Sequence, residues 1–243
     1  MRLELPVRKA TLMFYLALTF LLLAAIIIIV SVHSQIPEHH VDGNVLFDVS
    51  VILDPGHGGL DSGAVSENDV AEAPITLAIS KKTQLLFRFF GISALMTRED
   101  ENSLGYNPSA SMRENKNADL QERLKISERY PESLFISVHL NKFHQSKYYG
   151  AQVFYGTRHP DAKELADALQ RQMVALLDPQ NTRVAKLIPG KVYLMEQVRS
   201  PAVTVECGFL SNPQEEQLLK SEVYQRKIAI ALIAGFCDYQ KGS

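Results

Sequence analysis

The residues from Ala10 to Val32 form a continuous apolar stretch, and this feature constrains the fold of the chain more than any other. Its 23 residues contain no ionisable group except Tyr15. As a helix the stretch would extend for about 35 Å, which exceeds the roughly 30 Å of a bilayer's hydrocarbon core. We therefore expect a transmembrane signal anchor at residues 10–32. A cleaved signal peptide and a buried core helix are the alternatives, although the stretch is longer than a typical cleavable apolar segment.

The basic residues around this stretch predict its orientation. Arg2, Arg8 and Lys9 precede it, and no lysine or arginine follows it until Lys81. Because short cytoplasmic segments carry an excess of basic residues, the N-terminus is expected in the cytoplasm and the rest of the chain outside. This predicts a cytoplasmic stub at residues 1–9, a single membrane pass, a linker at residues 33–47 and an exported domain at residues 48–243.

Charge and cysteine content exclude several classes of protein. The chain has 243 residues, with 25 Lys and Arg against 27 Asp and Glu. This balance argues against a nucleic-acid partner, which normally requires a clustered excess of basic residues. Two cysteines are too few for a disulfide-rich scaffold or a cysteine-based zinc ribbon. A metal site would therefore have to use histidines and carboxylates.

After the linker, short apolar runs alternate with longer helical patterns, which predicts an α/β fold with a largely parallel sheet. The polar segment Asp100–Asn117 is expected to be either a surface loop over a site or a mobile insertion. Strands are expected at residues 49–53, 92–96, 134–139, 151–155 and 202–206. Helices are expected at residues 74–90, 120–130, 159–177 and 215–239, the last as one or two helices.

Chemically active side chains follow three of the predicted strands. His57, His139 and Glu206 are at or just beyond strand ends, and Glu72 begins the first helix. Ligands of open α/β sheets bind beyond the carboxyl ends of the strands. Two histidines and one carboxylate, His57, His139 and Glu72, are the usual ligands of a catalytic zinc ion. Glu206, in an apolar strand, is the candidate general base because burial raises a carboxyl pKa.

Each of these residues also has a simpler interpretation. The glycines around His57 can cradle a phosphate, although they lack the lysine and hydroxyl of a P-loop. Glu72 can act only as a favourable charge at a helix N-terminus. Glu206 can form an ion pair with Arg183, Arg199 or another cation. Cys207 should point away from Glu206 in an alternating strand, which favours a buried thiol rather than a nucleophile.

Several motifs together carry a family resemblance that extends from about residue 49 to residue 239. The chain resembles the zinc-dependent N-acetylmuramoyl-L-alanine amidases of the Amidase_3 family. The matching motifs are DPGHGGLDSGAV (54–65), Glu72, LMTRED (95–100), LQER (120–123), SVHLN (137–141) and PAVTVECGFLSNPQEE (201–216).

The resemblance implies a twisted, mostly parallel six-stranded sheet with helices on both faces. It implies one zinc ion per chain held by His57, Glu72 and His139, with Glu206 as catalytic acid and base. Substrate contacts would lie near Asn141 and Arg123. The implied reaction is hydrolysis of the amide between the lactyl group of muramic acid and the L-alanine of the peptidoglycan stem peptide.

The short anchored architecture is most similar to the germination-specific members of this family in endospore-forming bacteria. That similarity implies a role in spore cortex maturation, in which stem peptides are removed so that a muramic acid deacetylase can act downstream to form muramic δ-lactam. An accessory protein could order a weak zinc site. The alternatives are an autolysin of the vegetative wall, another exported zinc hydrolase, and a membrane-anchored peptidoglycan-binding protein with a weak or inactive site.

Overall fold

The computed structural model describes residues 49–242. The predicted cytoplasmic stub, the predicted anchor at residues 10–32 and the predicted linker at residues 33–47 all lie outside the described residues. Within residues 49–242, no helix combines the length and apolar character needed to cross a bilayer.

Six strands form one sheet in the order β2-β1-β3-β6-β4-β5. All neighbouring strands are parallel except β4 and β6, which are antiparallel. This confirms the predicted mostly parallel six-stranded sheet. The strands are β1 (Val51–Pro55), β2 (Ala94–Met96), β3 (Leu134–Asn141), β4 (Gln152–Tyr155), β5 (Lys186–Leu187) and β6 (Ala202–Phe209).

Helices cover both faces of the sheet. They are α1 (Glu72–Phe89), α2 (Met112–Arg129), α3 (Ala162–Leu177), α4 (Tyr193–Gln197), α5 (Pro213–Lys220) and α6 (Glu222–Gly242). Side chains alternate between the two faces of a strand. The larger core therefore forms where Leu53, Ile136 and Val205 pack with side chains of α1, α3 and α6. The smaller core holds Ile52 and Phe135 on the opposite face, with side chains of α2 and α4.

Helix α2 begins earlier than expected, so the prediction of a loop as far as Asn117 was wrong. Its first residue is Met112, and Ser111 caps it. The Ser111 hydroxyl accepts from the backbone N–H of Glu114, whose carboxylate accepts from the backbone N–H of Ser111 in return. This reciprocal pair is a capping box. The helix has few buried side chains, and its sequence therefore shows little apolar periodicity.

The remaining loop, residues 100–111, is hydrogen-bonded to α2. The backbone N–H of Leu104 donates to Oδ1 of Asp119 at 2.7 Å, and that of Asn107 donates to Oδ1 of Asn115 at 2.7 Å. These contacts fix the loop beside the carboxyl edge of the sheet.

Two short elements between α3 and β6 were not predicted. β5 has two residues and α4 has five, too few to show a period. The C-terminal helical region divides into α5 and α6 at Ser221, in agreement with the expectation of one or two helices.

Candidate active site

The candidate site lies on the face of the sheet that carries the smaller core, at the carboxyl ends of the central strands. Three parallel strands place side chains there in register: Asp54 of β1 is paired with Ser137 of β3, and Ser137 with Thr204 of β6. Two residues further along, His139 is paired with Glu206. Because paired residues of parallel strands project from the same face, His139 and Glu206 lie side by side.

His57, Glu72 and His139 converge at this edge. One ligand atom from each lies within 4.8 Å of the others. Nε2 of His57 is 3.3 Å from Oε2 of Glu72, and Nδ1 of His139 is 2.9 Å from Oε1 of Glu72. The structure thus brings together the three residues predicted as metal ligands, which come from a loop, a helix and a strand.

Glu72 is positioned by backbone groups outside its own helix. Its Oε2 accepts from the N–H of Ala64 at 2.8 Å and its Oε1 from the N–H of Leu140 at 2.9 Å. Burial raises the pKa of Glu72, but the neighbouring His139 and His57 outweigh it and hold the pKa well below its usual value. Glu72 is therefore an ionised carboxylate facing two imidazoles, an arrangement that a role in helix capping alone does not explain.

Two buried arginines hold the loop that carries His57. His57 has a positive φ of 62°, an uncommon conformation for a residue with a side chain. Arg123 donates to the carbonyls of Pro55 and His57, each at 2.7 Å. Arg98 donates to the carbonyls of Pro55 at 3.1 Å and Gly56 at 2.9 Å. Three successive carbonyls are thereby fixed, which compensates for the strained backbone and orients the imidazole.

Arg123 was expected near the substrate, and the structure places it in the lining of the candidate cavity, with its side chain almost fully buried. It is 2% exposed, and it also pairs with Asp54 at 2.6 Å and with Asp119 at 2.7 Å. Its donors are committed to internal partners, so the observed contacts make it a positioning residue. Asn141 lies at the end of β3, where its carbonyl accepts from the N–H of Leu210. Substrate contacts of Arg123 and Asn141 remain predictions.

Asp61 is a site residue that the sequence analysis did not identify. Its Oδ2 lies 3.0 Å from Nδ1 of His57 and 3.1 Å from Nζ of Lys116. Burial lowers the pKa of His57, but Asp61 and Glu72 outweigh it and raise the pKa to about 9. A carboxylate on one nitrogen fixes the tautomer of a histidine and leaves the other nitrogen for a metal. The signal in the sequence was an aspartate four residues after a histidine in a glycine-rich loop.

Glu206 is one of the residues that line the site. Its Oε2 is buried and has no hydrogen-bond partner among residues 49–242. Burial raises the pKa of Glu206 to about 7, with an added contribution from Glu72 that His139 opposes. The alternative partner Arg183 donates instead to the carbonyl of Tyr149. Glu206 is therefore placed to exchange a proton near neutral pH.

A cavity of about 380 Å³ opens over these groups. Its floor includes His57, His139 and Glu206, and one wall is formed by residues 188 and 191–195. Lys191 and Tyr193 on this wall were not predicted as site residues, because they belong to a loop and a short helix without a recognisable pattern.

Cys207 lies outside the cavity, as the strand alternation predicts. It is buried in the larger core, where burial raises the pKa of its thiol well above the usual value. Such a thiol is a poor nucleophile. The chemistry of the site therefore rests on imidazoles and carboxylates.

The donor set and the local backbone fit a zinc ion. Two imidazole nitrogens and one carboxylate oxygen are the protein ligands of many catalytic zinc sites, in which water or substrate takes the fourth position. Gly63 has a φ of 70°, and a Cβ there would lie 2.6 Å from Oε2 of Glu72. A Cβ at Gly56 would overlap the ring of His139. The backbone thus approaches the ligands so closely that only glycine fits at either position.

The fold and the site agree with the comparison to known protein families. The model of Amidase_3, described as N-acetylmuramoyl-L-alanine amidase, matches residues 51–238. The chain belongs to this family. It is accordingly an N-acetylmuramoyl-L-alanine amidase, an enzyme that acts on peptidoglycan.

The chain is also similar to individual proteins of known name or structure. The chain is 35% identical to the germination-specific N-acetylmuramoyl-L-alanine amidase of Bacillus subtilis (strain 168) over 189 residues, which cover 78% of each protein. It is 29% identical to AmiA of Escherichia coli (strain K12), covering 78% of this chain and 75% of AmiA. Among solved structures, it is similar to the CwlD amidase from Clostridioides difficile in complex with the GerS lipoprotein. That similarity has 40% identity and a TM-score of 0.76, and it covers 80% of this chain and 99% of the other.

Proposed function

We propose that the enzyme is zinc-dependent, with zinc held by His57, Glu72 and His139 and with Glu206 as the general acid and base. The observation that carries the proposal is the buried Oε2 of Glu206, unpartnered within the described residues and one strand away from His139. A buried carboxylate oxygen without a partner is costly. This cost is explained if Oε2 of Glu206 bonds to a water or to a substrate atom during the reaction.

The mechanism follows from these positions. Zinc, when bound, supplies Lewis-acid polarisation of the lactyl carbonyl and promotes ionisation of the attacking water. Glu206 accepts a proton from that water while the water oxygen forms a bond to the carbonyl carbon. It then donates the proton to the departing nitrogen of L-alanine, and the carbon–nitrogen bond breaks. A pKa raised towards neutrality suits a group that first accepts and then returns a proton.

Replacing Glu206 by glutamine tests its role. The Glu206→Gln variant should bind zinc as the wild type does and should release stem peptides from peptidoglycan at least about 100-fold more slowly, as expected for a lost general acid and base. Glu196→Gln, which alters an exposed glutamate of α4, is the matched control and should remain active. A fully active Glu206→Gln enzyme would refute the assignment.

Zinc content tests the ligands separately from activity. The His139→Ala protein should lose zinc in metal analysis, whereas His144→Ala, at an exposed histidine, should retain it. Equal zinc content in both variants would show that His139 is not a ligand.

We propose spore cortex peptidoglycan as the physiological substrate. Support comes from the germination-specific relative and from the CwlD structure. The enzyme would remove stem peptides from selected muramic acids, and a deacetylase would then act on the exposed residues during muramic δ-lactam formation. Mass spectrometry of cortex muropeptides should show loss of δ-lactam in spores of a deletion strain and its return with the wild-type gene but not with Glu206→Gln. Unchanged δ-lactam would refute the cortex role and leave the amidase activity intact.

The proposal includes a single membrane anchor with the catalytic domain on the outer side. It is supported by the apolar stretch Ala10–Val32 and by the basic residues before it. Protease added to intact cells with a permeabilised wall should digest the catalytic domain and spare a tag at the N-terminus. Digestion of the tag instead would reverse the proposed orientation.

An accessory lipoprotein is the proposed protein partner. The solved CwlD amidase forms a complex with the GerS lipoprotein, and a comparable partner of this enzyme would meet it at the membrane. Copurification from detergent extracts of sporulating cells, followed by zinc analysis with and without the partner, tests both its existence and its effect on the metal site. Recovery of the enzyme alone with a full zinc content would refute this part of the proposal.

A further inference from the structure

Three large apolar side chains are exposed near the C-terminal end of α1. Leu85, Phe89 and Phe90, here called the α1 patch, are between 62% and 79% exposed, and the two phenylalanine rings contact each other edge to face. Phe87 of the same helix is instead fully buried against Phe236 of α6. One aromatic side chain of this segment is therefore buried in the core, whereas the α1 patch is exposed to solvent. Clustered apolar exposure of this kind marks an interaction surface.

The α1 patch lies at the amino-terminal ends of the strands, whereas the active site lies at their carboxyl ends. Helix α1 ends at Phe89, just before β2 begins at Ala94, which pairs with Val51 at the start of β1. The backbone N–H of Ser50 donates to the carbonyl of Ser93 at 3.0 Å. The α1 patch is therefore next to the point where the chain enters the sheet, whereas the candidate metal ligands and Glu206 lie at the carboxyl ends of the strands.

The chain that leads to this edge is short. Sixteen residues, 33–48, separate the predicted membrane span from Val49. A flexible segment of this length has a typical end-to-end distance of only about 20–25 Å. If residues 10–32 span the membrane, the length of this segment limits the distance between the membrane surface and the end of the sheet that carries the α1 patch.

The charge around the α1 patch suits an anionic lipid surface. Arg88 is exposed beside Phe89, and Lys81 is exposed about one turn before Leu85, where Asp100 is also near it. The one acidic residue of α1 is Glu72, at the other end of the helix and within the active site. Helix α6 also has a basic residue, Lys241, in its last turn. Basic side chains beside aromatic ones are the composition of surfaces that bind the interface of a bilayer.

We propose that the α1 patch inserts into the phospholipid surface of the membrane that holds the anchor, so that the active site faces away from the bilayer. The inference rests on the membrane anchoring proposed above and adds an orientation to it. The contact would direct the catalytic cavity of the anchored domain at the peptidoglycan layer.

The absence of tryptophan from the chain allows a direct test. The full chain carrying Phe90→Trp would be reconstituted into vesicles of phosphatidylcholine and phosphatidylglycerol, with and without bromine on the acyl chains. Its fluorescence should be quenched by the brominated lipid, and its emission maximum should shift to shorter wavelength. Phe143→Trp, at a half-exposed phenylalanine just beyond β3, is the matched control and should be neither quenched nor shifted.

Flotation of the same vesicles separates the possible failures. If the chain floats with the lipid but Phe90→Trp is not quenched, the inserted patch is refuted and the anchor stands. Equal quenching of Phe90→Trp and Phe143→Trp would refute the orientation. A spectral shift that requires an added protein, without quenching by brominated lipid, would assign the patch to a protein interface. A chain that does not float would refute both the anchor and the patch.

Discussion

The buried ion pair between Asp54 and Arg123, at the lining of the candidate cavity, provides a quantitative test of how the site is built. Asp54 is 1% exposed and Arg123 is 2% exposed. Oδ1 of Asp54 accepts from Arg123 at 2.6 Å and from Thr97 at 2.7 Å, and Oδ2 accepts from Ser137 at 2.7 Å. The change Asp54→Asn preserves the shape of the side chain but removes its charge, which leaves the guanidinium of Arg123 with Asp119 as its remaining anionic partner.

Breaking one side of a buried ion pair typically costs 3–5 kcal/mol, and the remaining Asp119 places the expected loss near the lower end, at about 3 kcal/mol. For a protein of this size each kcal/mol lowers Tm by about 2–4 °C, so we expect a decrease of about 6–12 °C. Thermal unfolding followed by circular dichroism at pH 7 measures this loss. Asp167→Asn, which breaks an exposed pair with Lys163, is the matched control and should leave Tm almost unchanged.

The pH dependence of the difference in Tm between wild type and Asp54→Asn tests the same ion pair independently. Burial raises the pKa of Asp54, but Arg123 and the hydroxyls of Ser137 and Thr97 outweigh it and hold the pKa below its usual value. The stabilisation by ionised Asp54 is therefore complete above the unfolded pKa of about 4 and is lost as pH falls through the lower native pKa. The difference in Tm between wild type and Asp54→Asn should be constant above about pH 5 and should narrow below pH 4. A Tm difference under about 2 °C at pH 7, or one that does not narrow in acid, would refute the reasoning.

Two further predictions concern the geometry around the proposed metal site. Gly63→Ala should lose zinc, because the new Cβ would lie 2.6 Å from Oε2 of Glu72. Gly190→Ala is the control for backbone strain: Gly190 has a similar positive φ but open space around it, so this variant should retain zinc. Asp61→Asn should weaken zinc binding about 10–100-fold in a chelator competition, since it removes the carboxylate that orients His57. Unchanged zinc affinity in Asp61→Asn would mean that the backbone alone orients the imidazole.

The fold was largely predictable because its strands are short apolar runs bounded by turns and longer helices. The same reasoning located His57, His139 and Glu206, since the carboxyl ends of parallel strands meet at one edge of the sheet. These inferences depend on patterns that a single sequence contains.

Features that depend on the surroundings of a residue were not predictable in this way. The start of α2 was missed because the helix is polar, although the spacing of Ser111 and Glu114 was a usable signal. Arg123 was expected near the substrate, and its role in holding Asp54 and the loop of His57 became clear only from its contacts. An arginine in a polar helix gives no sign in the sequence that it will be buried.

The pairing of His139 with Glu206 has a consequence for how such enzymes can diversify. Their relative position is fixed by the hydrogen bonds between β3 and β6, and neighbouring strands lie about 4.8 Å apart in any sheet. The loop at residues 100–111 and the segment at residues 188–192 can therefore change in length and composition without altering the distance between the proposed metal ligand His139 and the proposed proton-transfer group Glu206. Recognition of different wall polymers can evolve in these segments while the bond-breaking chemistry stays the same.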